Sequence, residues 1–368
     1  MDTYLSTIHI TSSGSHIKID NATHLISLRN FFANYHYQIN SFPIHVLAML
    51  KTTLTQLVGA SLILNTMSTP LPWEKNGTFG HGTLSITRNN NGASLRVNIQ
   101  NGPINLYDYK LGTDITSLLN SLRPANIPSN TTSSPPKVVV FSSDNSDFWM
   151  GHYDLKLLTP GGTNLSTDEV NTLFSNTMAS ARLLGTLPTI FIAEINGHAT
   201  GSGNEFLVQC DMAFAGPNAV VGSTEVAVGG IHGNGGVQYL VRKMGMAKAA
   251  EYLLAATSIG AKEAAEVGWV NRAYGSAKEL RKAVDALTYR LSLFNASALN
   301  GTKTAIRASG PSVEQADADI ATIFRLFPEE VPLLPKFLEL SEGQTSGKFE
   351  LGALRDIKDV EKLVGRKA

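Results

Sequence analysis

Residues 194–205 read EINGHATGSGNE, an apolar run that ends in a glycine-rich turn and is followed by an acidic side chain. Gly197, Gly201, Ser202 and Gly203 carry little or no side chain, so the backbone here can come close to something. Three chemistries use such a turn after a strand. A dinucleotide-binding G-x-G-x-x-G would begin at Gly201, but its sixth position is Phe206, and the turn lies deep in the chain rather than after a first strand. A serine-nucleophile turn would read G-x-S-x-G. Ser202 sits between glycines at the wrong spacings, and nothing in the sequence brings the candidate base His232 to it. An oxyanion-binding turn asks only for exposed backbone N–H groups at a helix start, where unpaired donors carry partial positive charge. Aimed at a carbonyl oxygen that gains charge, each donor is worth about 3–4 kcal/mol.

The surroundings supply the strand and the helix. PTIFIAEI (188–195) and KVVVFSS (137–143) read as buried strands. Between them LSTDEVNTLFSNTMASARLLGTL (165–187) opens with a Ser/Thr cap and first-turn acids and runs on as an amphipathic helix. TLSITRNNNGASLRVNIQNG (83–102) predicts two strands around Asn-Gly. DITSLLNSL (114–122) has helical spacing, and the prolines of PANIPSNTTSSPP (124–136) end it. A helix is expected from Gly236, and beyond about residue 247 nearly everything reads as helix. Strand, helix and strand with short loops favour a layered α/β core followed by a helical tail.

Bulk properties exclude several classes. Thirty basic residues balance thirty acidic ones, so no overall field favours nucleic acid or an anionic membrane. The single cysteine, Cys210, excludes an intrachain disulfide, fits a reducing compartment and reads as a small core residue. The Asn-x-Ser/Thr triplets at Asn130, Asn164, Asn295 and Asn300 read as chance. FPIHVLAMLKTTLTQLVGASLILN (42–65) is the most apolar stretch, but His45, Lys51 and Gln56 interrupt it, which argues against a spanning helix. Residues 1–66 are read as an N-terminal extension, either dispensable and disordered or an artefact of gene prediction, with a plausible compact protein beginning at Met67. A soluble, intracellular protein is expected.

Five blocks now join. LRVNIQNGPINLYD (95–108), DFWMGHYDL (147–155), INGHATGSGNEFLVQCDMAFAG (195–216), GSTEVAVGGIHGNGGVQYLVRKMG (222–245) and SIGAKEAAEVGWVNRAY (258–274) stand in one order. Together they resemble the crotonase (enoyl-CoA hydratase/isomerase) superfamily. The resemblance implies an α/β fold, a spiral of ββα units over residues 67–270, and a C-terminal helical oligomerisation region over 271–368. It implies an acyl-CoA thioester as substrate, coenzyme A being part of that substrate and no other cofactor, and a homotrimer or hexamer.

By position, the two oxyanion N–H groups belong to His152 and Ser202, and the two family glutamates fall at Glu205 and Glu225, 20 residues apart. Phe148, Met150, Gly151, Gly201 and Gly233 fall at substrate-binding positions. The chemistry stands without the analogy. Adding water across a double bond conjugated to a thioester needs a group to take a proton, a group to deliver one, and donors where enolate charge rests. No metal is required, and no His/Cys cluster with metal spacing is visible.

Plainer roles exist for the same residues. Glu205 sits where a helix dipole favours an acid, Glu225 could be a solvated turn residue, and Asp211 is read as a cap of local backbone. His232 stands where the family often has proline beside the acyl pocket and is read by default as a surface or loop histidine. Three functions follow: a hydratase or dehydratase using both glutamates, a double-bond isomerase using Glu225 alone, or a silent acyl-CoA binder.

Overall fold

Alternating apolar side chains set the opening of the fold. In a computed structural model that describes residues 71–128, 131, 134–159, 161–330, 332–345, 347–352 and 355–365, strands β1 (Gly77–Phe79), β2 (Leu84–Asn89) and β3 (Ser94–Ile99) pair antiparallel. Leu84, Ile86, Leu95, Val97 and Ile99 point into the core. The expected hairpin is present with a longer connection than two residues: Asn90, Asn91 and Gly92 form a 3₁₀ turn in which all three have positive φ. The extension to residue 66, with its apolar stretch, lies outside the described residues.

After α1 (Tyr109–Ser121), the chain repeats one pattern of two strands and a helix. The first repeat is β4 (Val138–Ser143), β5 (Phe148–Met150) and α2 (Thr167–Thr186). The second is β6 (Ile190–Ile195), β7 (His198–Thr200) and α3 (Ser202–Gln209). The third is β8 (Met212–Ala215), β9 (Val220–Gly222) and α4 (Gly236–Leu254), which is kinked at Gly245. Each repeat gives its first strand to a larger sheet and its second to a smaller one. With β10 (Ile259–Gly260), α5 (Ala261–Glu266) and β11 (Arg272–Ala273), the orders are β1-β2-β3-β4-β6-β8-β11 and β10-β9-β7-β5. From β3 onward the larger sheet is parallel, and so are β5, β7 and β9. This is the expected spiral of ββα units.

Local chemistry explains the element ends. Val138, Val139, Val140 and Phe141 are buried on both faces, as a central parallel strand requires. Ser166 accepts from the N–H of Glu169 while the Glu169 carboxylate accepts from the N–H of Ser166, closing a capping box at the start of α2.

The tail is helical as expected: α6 (Ala277–Ser292), α7 (Ala296–Arg307), α8 (Val313–Glu330), α9 (Leu334–Leu340), α10 (Lys348–Gly352) and α11 (Ile357–Val364). The two-residue strands β10 and β11 were not foreseen, since two residues show no period. Asn295 caps α7 by accepting from Ser297 and Ala298 N–H groups. Cys210 is buried in the core, which pushes its thiol up to about 12. Asp211 does more than cap backbone: it accepts from Phe191 N–H at 2.8 Å and pairs with Lys303 at 3.0 Å and Arg307 at 2.8 Å.

Candidate active site

Two strand-to-helix corners meet at Gly201. The chain leaves β7 through Gly201 at φ 55°, ψ −126°, a conformation open to glycine, and α3 starts at Ser202. A Cβ at Gly201 would lie 2.7 Å from the Cβ of His152 and 3.8 Å from Oε1 of Glu225. A Cβ at Gly203 would collide with the Met150 carbonyl oxygen, so only glycine lets α3 settle on β5. Gly203 N–H donates to Gly151 O and Gly151 N–H donates to Asn105 O, both at 3.0 Å. Those bonds fasten the corners to each other. Among the described residues, neither the N–H of His152 nor that of Ser202 has an acceptor.

Beside the corners, Glu205, Glu225 and His232 converge, with one oxygen or nitrogen from each lying within 4.8 Å of the others. Glu205 Oε1 accepts from Gly233 N–H and Oε2 from the Asn234 amide, both at 2.7 Å. Glu225 Oε2 accepts from the Ser223 hydroxyl at 2.7 Å, and Oε1 lies 3.3 Å from Nδ1 of His232. Burial pushes the Glu205 carboxyl up, and the Glu225 charge adds to that against the pull of His232. Burial also acts upward on Glu225, but His232 and the Ser223 hydroxyl outweigh it and hold its carboxyl below the ordinary range. The spacing of the three would suit a metal ion. Each carboxylate also accepts from donors of the surrounding loops, Glu205 from Gly233 and Asn234 and Glu225 from Ser223.

His232 corrects the sequence reading in part. It lies on a loop but not at the surface: it is 2% exposed, with Nε2 3.3 Å from the Asn204 amide nitrogen, and Asn204 Oδ1 accepts from the Trp269 indole N–H at 2.9 Å. Gly236 stacks on the ring, which leaves no room for a side chain there. Proline could not make these contacts. Adjacent residues of α3 thus grip one loop, Asn204 at His232 and Glu205 at Gly233 and Asn234.

The tail folds back over the first corner. His152 Nε2 lies 3.0 Å from both oxygens of Glu350, and Nδ1 lies 2.7 Å from the Tyr153 carbonyl oxygen. Both ring nitrogens face acceptors, an arrangement that favours the doubly protonated ring. Burial opposes that charge, but the Glu350 carboxylate wins and raises the His152 pKa. Gln344 accepts from Leu155 N–H at 3.0 Å and donates to Asp154 at 2.7 Å, and Phe337 meets the His152 ring edge-on.

Of the sequence-predicted residues, His152, Ser202, Glu205, Glu225, Gly201, Gly151 and Gly233 come together. Phe148 and Met150 are buried, with Met150 packed in the main core and Phe148 against His198, so their side chains are occupied in packing. Asn204, Trp269 and Glu350 were missed. A buried polar pair between distant segments leaves no local pattern, though the replacement of proline by His232 was a visible signal that something there needed a partner.

The sequence model of the enoyl-CoA hydratase/isomerase family matches residues 115–321, more than half of the chain. The chain belongs to that family. It is 35% identical over 125 residues to the 2,3-dehydroadipyl-CoA hydratase of Escherichia coli, covering 34% of this chain and 49% of that protein. It is 41% identical over 91 residues to a short-chain-enoyl-CoA hydratase of Clostridium acetobutylicum, covering 25% of this chain and 35% of that one. These matches span half or less of the curated relatives' lengths. A solved enoyl-CoA hydratase-like protein from Streptomyces avermitilis superposes with a TM-score of 0.67 at 31% identity, over 80% of this chain and 100% of that one. Among the described residues, no helix of this family member is long and apolar enough to cross a membrane.

Proposed function

We propose that this protein adds water to, or removes it from, the carbon–carbon double bond of an enoyl-CoA thioester, with Glu205 and Glu225 as the proton-transfer pair. The observation that carries the reading is the adjacency of the acid pair and the unpartnered amides across Gly201. A thioester oxygen accepting from His152 and Ser202 N–H would place the α and β carbons beside the carboxyls. Enolate charge would then rest on donors already oriented, while one carboxyl takes a proton and the other gives one. Two acids within 4.8 Å, one pushed up and one held down, suit that division. Coenzyme A enters as part of the substrate. Exposed Met246, Leu254, Leu293 and Ile306 supply apolar surface for a trimer or hexamer, which light scattering would detect.

Glu205→Gln separates the two enzymatic readings. Hydration falls by about 10²–10⁴-fold, while a pure isomerase reaction through Glu225 survives. Solvent deuterium exchange into a panel of acyl-CoAs, read by mass spectrometry, is the wider test. No label in any thioester would defeat both readings and leave a binding protein.

A further inference from the structure

The two glutamates are alike in type and close in space, yet a third titratable group touches only one of them. An indole N–H can only donate, and that of Trp269 is directed at Asn204 Oδ1. This fixes the Asn204 amide so that its NH2 faces Nε2 of His232. An NH2 group needs a lone pair there, so in the neutral ring the proton sits on Nδ1. Nδ1 faces Oε1 of Glu225. If the ring takes a second proton, Nδ1 still donates, and only the Asn204 contact is lost. In either charge state the ring presents a donor to Glu225.

We propose that His232 is a positioning residue that decides which of the paired carboxyls starts the reaction ionised: it holds Glu225 as the carboxylate and leaves Glu205 to carry the proton. Carboxylates this close disfavour double ionisation, so one of them retains a proton. The negative charge settles where a neighbour can donate and can itself become positive. Among the described residues, the hydrogen-bond donors to Glu205 are the neutral Gly233 N–H and Asn234 amide. The opposed shifts of the two acids agree with this arrangement. The charged groups bearing on the ring are Glu225 on its own loop, Glu205 on α3 and Asp319 on α8.

The chemical role rests on the function proposed above, in which Glu225 is the acid common to hydration and isomerisation. In dehydration, Glu225 takes the α-proton of a 3-hydroxyacyl thioester and the C–H electron pair moves into the enolate. As the enolate collapses, the C–O bond at the β carbon breaks and the hydroxyl leaves as water with the proton of Glu205. Transfer of a proton from Glu225 back to Glu205 across the short gap restores the starting state. Hydration runs from the swapped state along the same path.

Two measurements decide the point. In the wild-type protein, ¹⁵N shifts of the His232 ring at pH 8 are expected to show a proton on Nδ1; a ring protonated on Nε2 alone overturns the proposal. In His232→Ala, the ¹³Cδ titration of Glu225 and the acidic limb of the kcat/KM profile for dehydration both move up by about one pH unit, and His232→Gln, which keeps a donor, recovers part of the shift. A loss of rate at every pH with both curves unmoved would make His232 merely structural. If no thioester reacts, the catalytic reading fails by itself, and the ring and carboxyl titrations still judge the role of His232.

Discussion

The imidazole of His152 is held between the Tyr153 carbonyl oxygen and the carboxylate of Glu350, a residue 198 positions further along the chain. The oxyanion corner is therefore braced by the far end of the protein. Glu350 is buried, and removing it leaves the His152 ring without its charge partner, so the ring gives up its second proton more readily and Nε2 is left unpaired. Glu350→Ala should cost about 1–3 kcal/mol. The pH dependence follows from the raised His152 pKa: the pair's contribution is complete below the ordinary histidine value of about 6.5 and fades as pH rises through the higher folded value. Urea melts of both proteins from pH 5 to 9 should show the stability gap narrowing at the alkaline end.

Gly201 is where conformation matters most to the amides. Alanine there must adopt φ 55°, ψ −126° with its Cβ 2.7 Å from that of His152. Strain of about 1–3 kcal/mol is expected. Displacing one donor should lower kcat by about 10²–10³-fold. A Gly201→Ala protein with a reduced melting temperature and undiminished kcat would remove the amides from the mechanism.

The acids should not behave as equals. Glu225→Gln should abolish both hydration and exchange at the α carbon, whereas Glu205→Gln should spare the exchange. Because they act as a unit, the double variant should be scarcely slower than Glu225→Gln. Additive losses in steady-state rates would mean that the carboxyls work independently.

Lys303 offers a test away from the site. It is buried with its ammonium group on the carbonyls of Leu184 and Thr189 and on Asp211, and burial pulls its pKa down to about 8. Between there and the usual lysine value of about 10.4, the unfolded chain holds a proton that the folded one has released. Stability from this group therefore rises with pH, by at most about 1.4 kcal/mol per pH unit. The wild-type protein should gain on Lys303→Met in denaturant melts between pH 8 and 10.

Much of the fold could be read directly. The valine run at 138–140, the Ser166 cap and the Asn-Gly hairpin are local signals, and each element lies where they place it. The strands β10 and β11 exist only because neighbouring strands accept them. The candidate site divides in the same way. Glycine at 201 and 203 and the acids at 205 and 225 were visible as a pattern, because backbone conformation and helix position constrain residue type locally.

What sequence determined unaided is the order of strand, turn and helix and the kinds of group each turn presents, since these depend on a few neighbouring residues. Only tertiary structure decided that His232 is buried against Glu225, that Trp269 orients Asn204, and that Glu350 pairs with His152. Those contacts join segments that are remote along the chain. Hydrogen-bond direction and burial, which set the proton on each group, arise only once the segments have packed together.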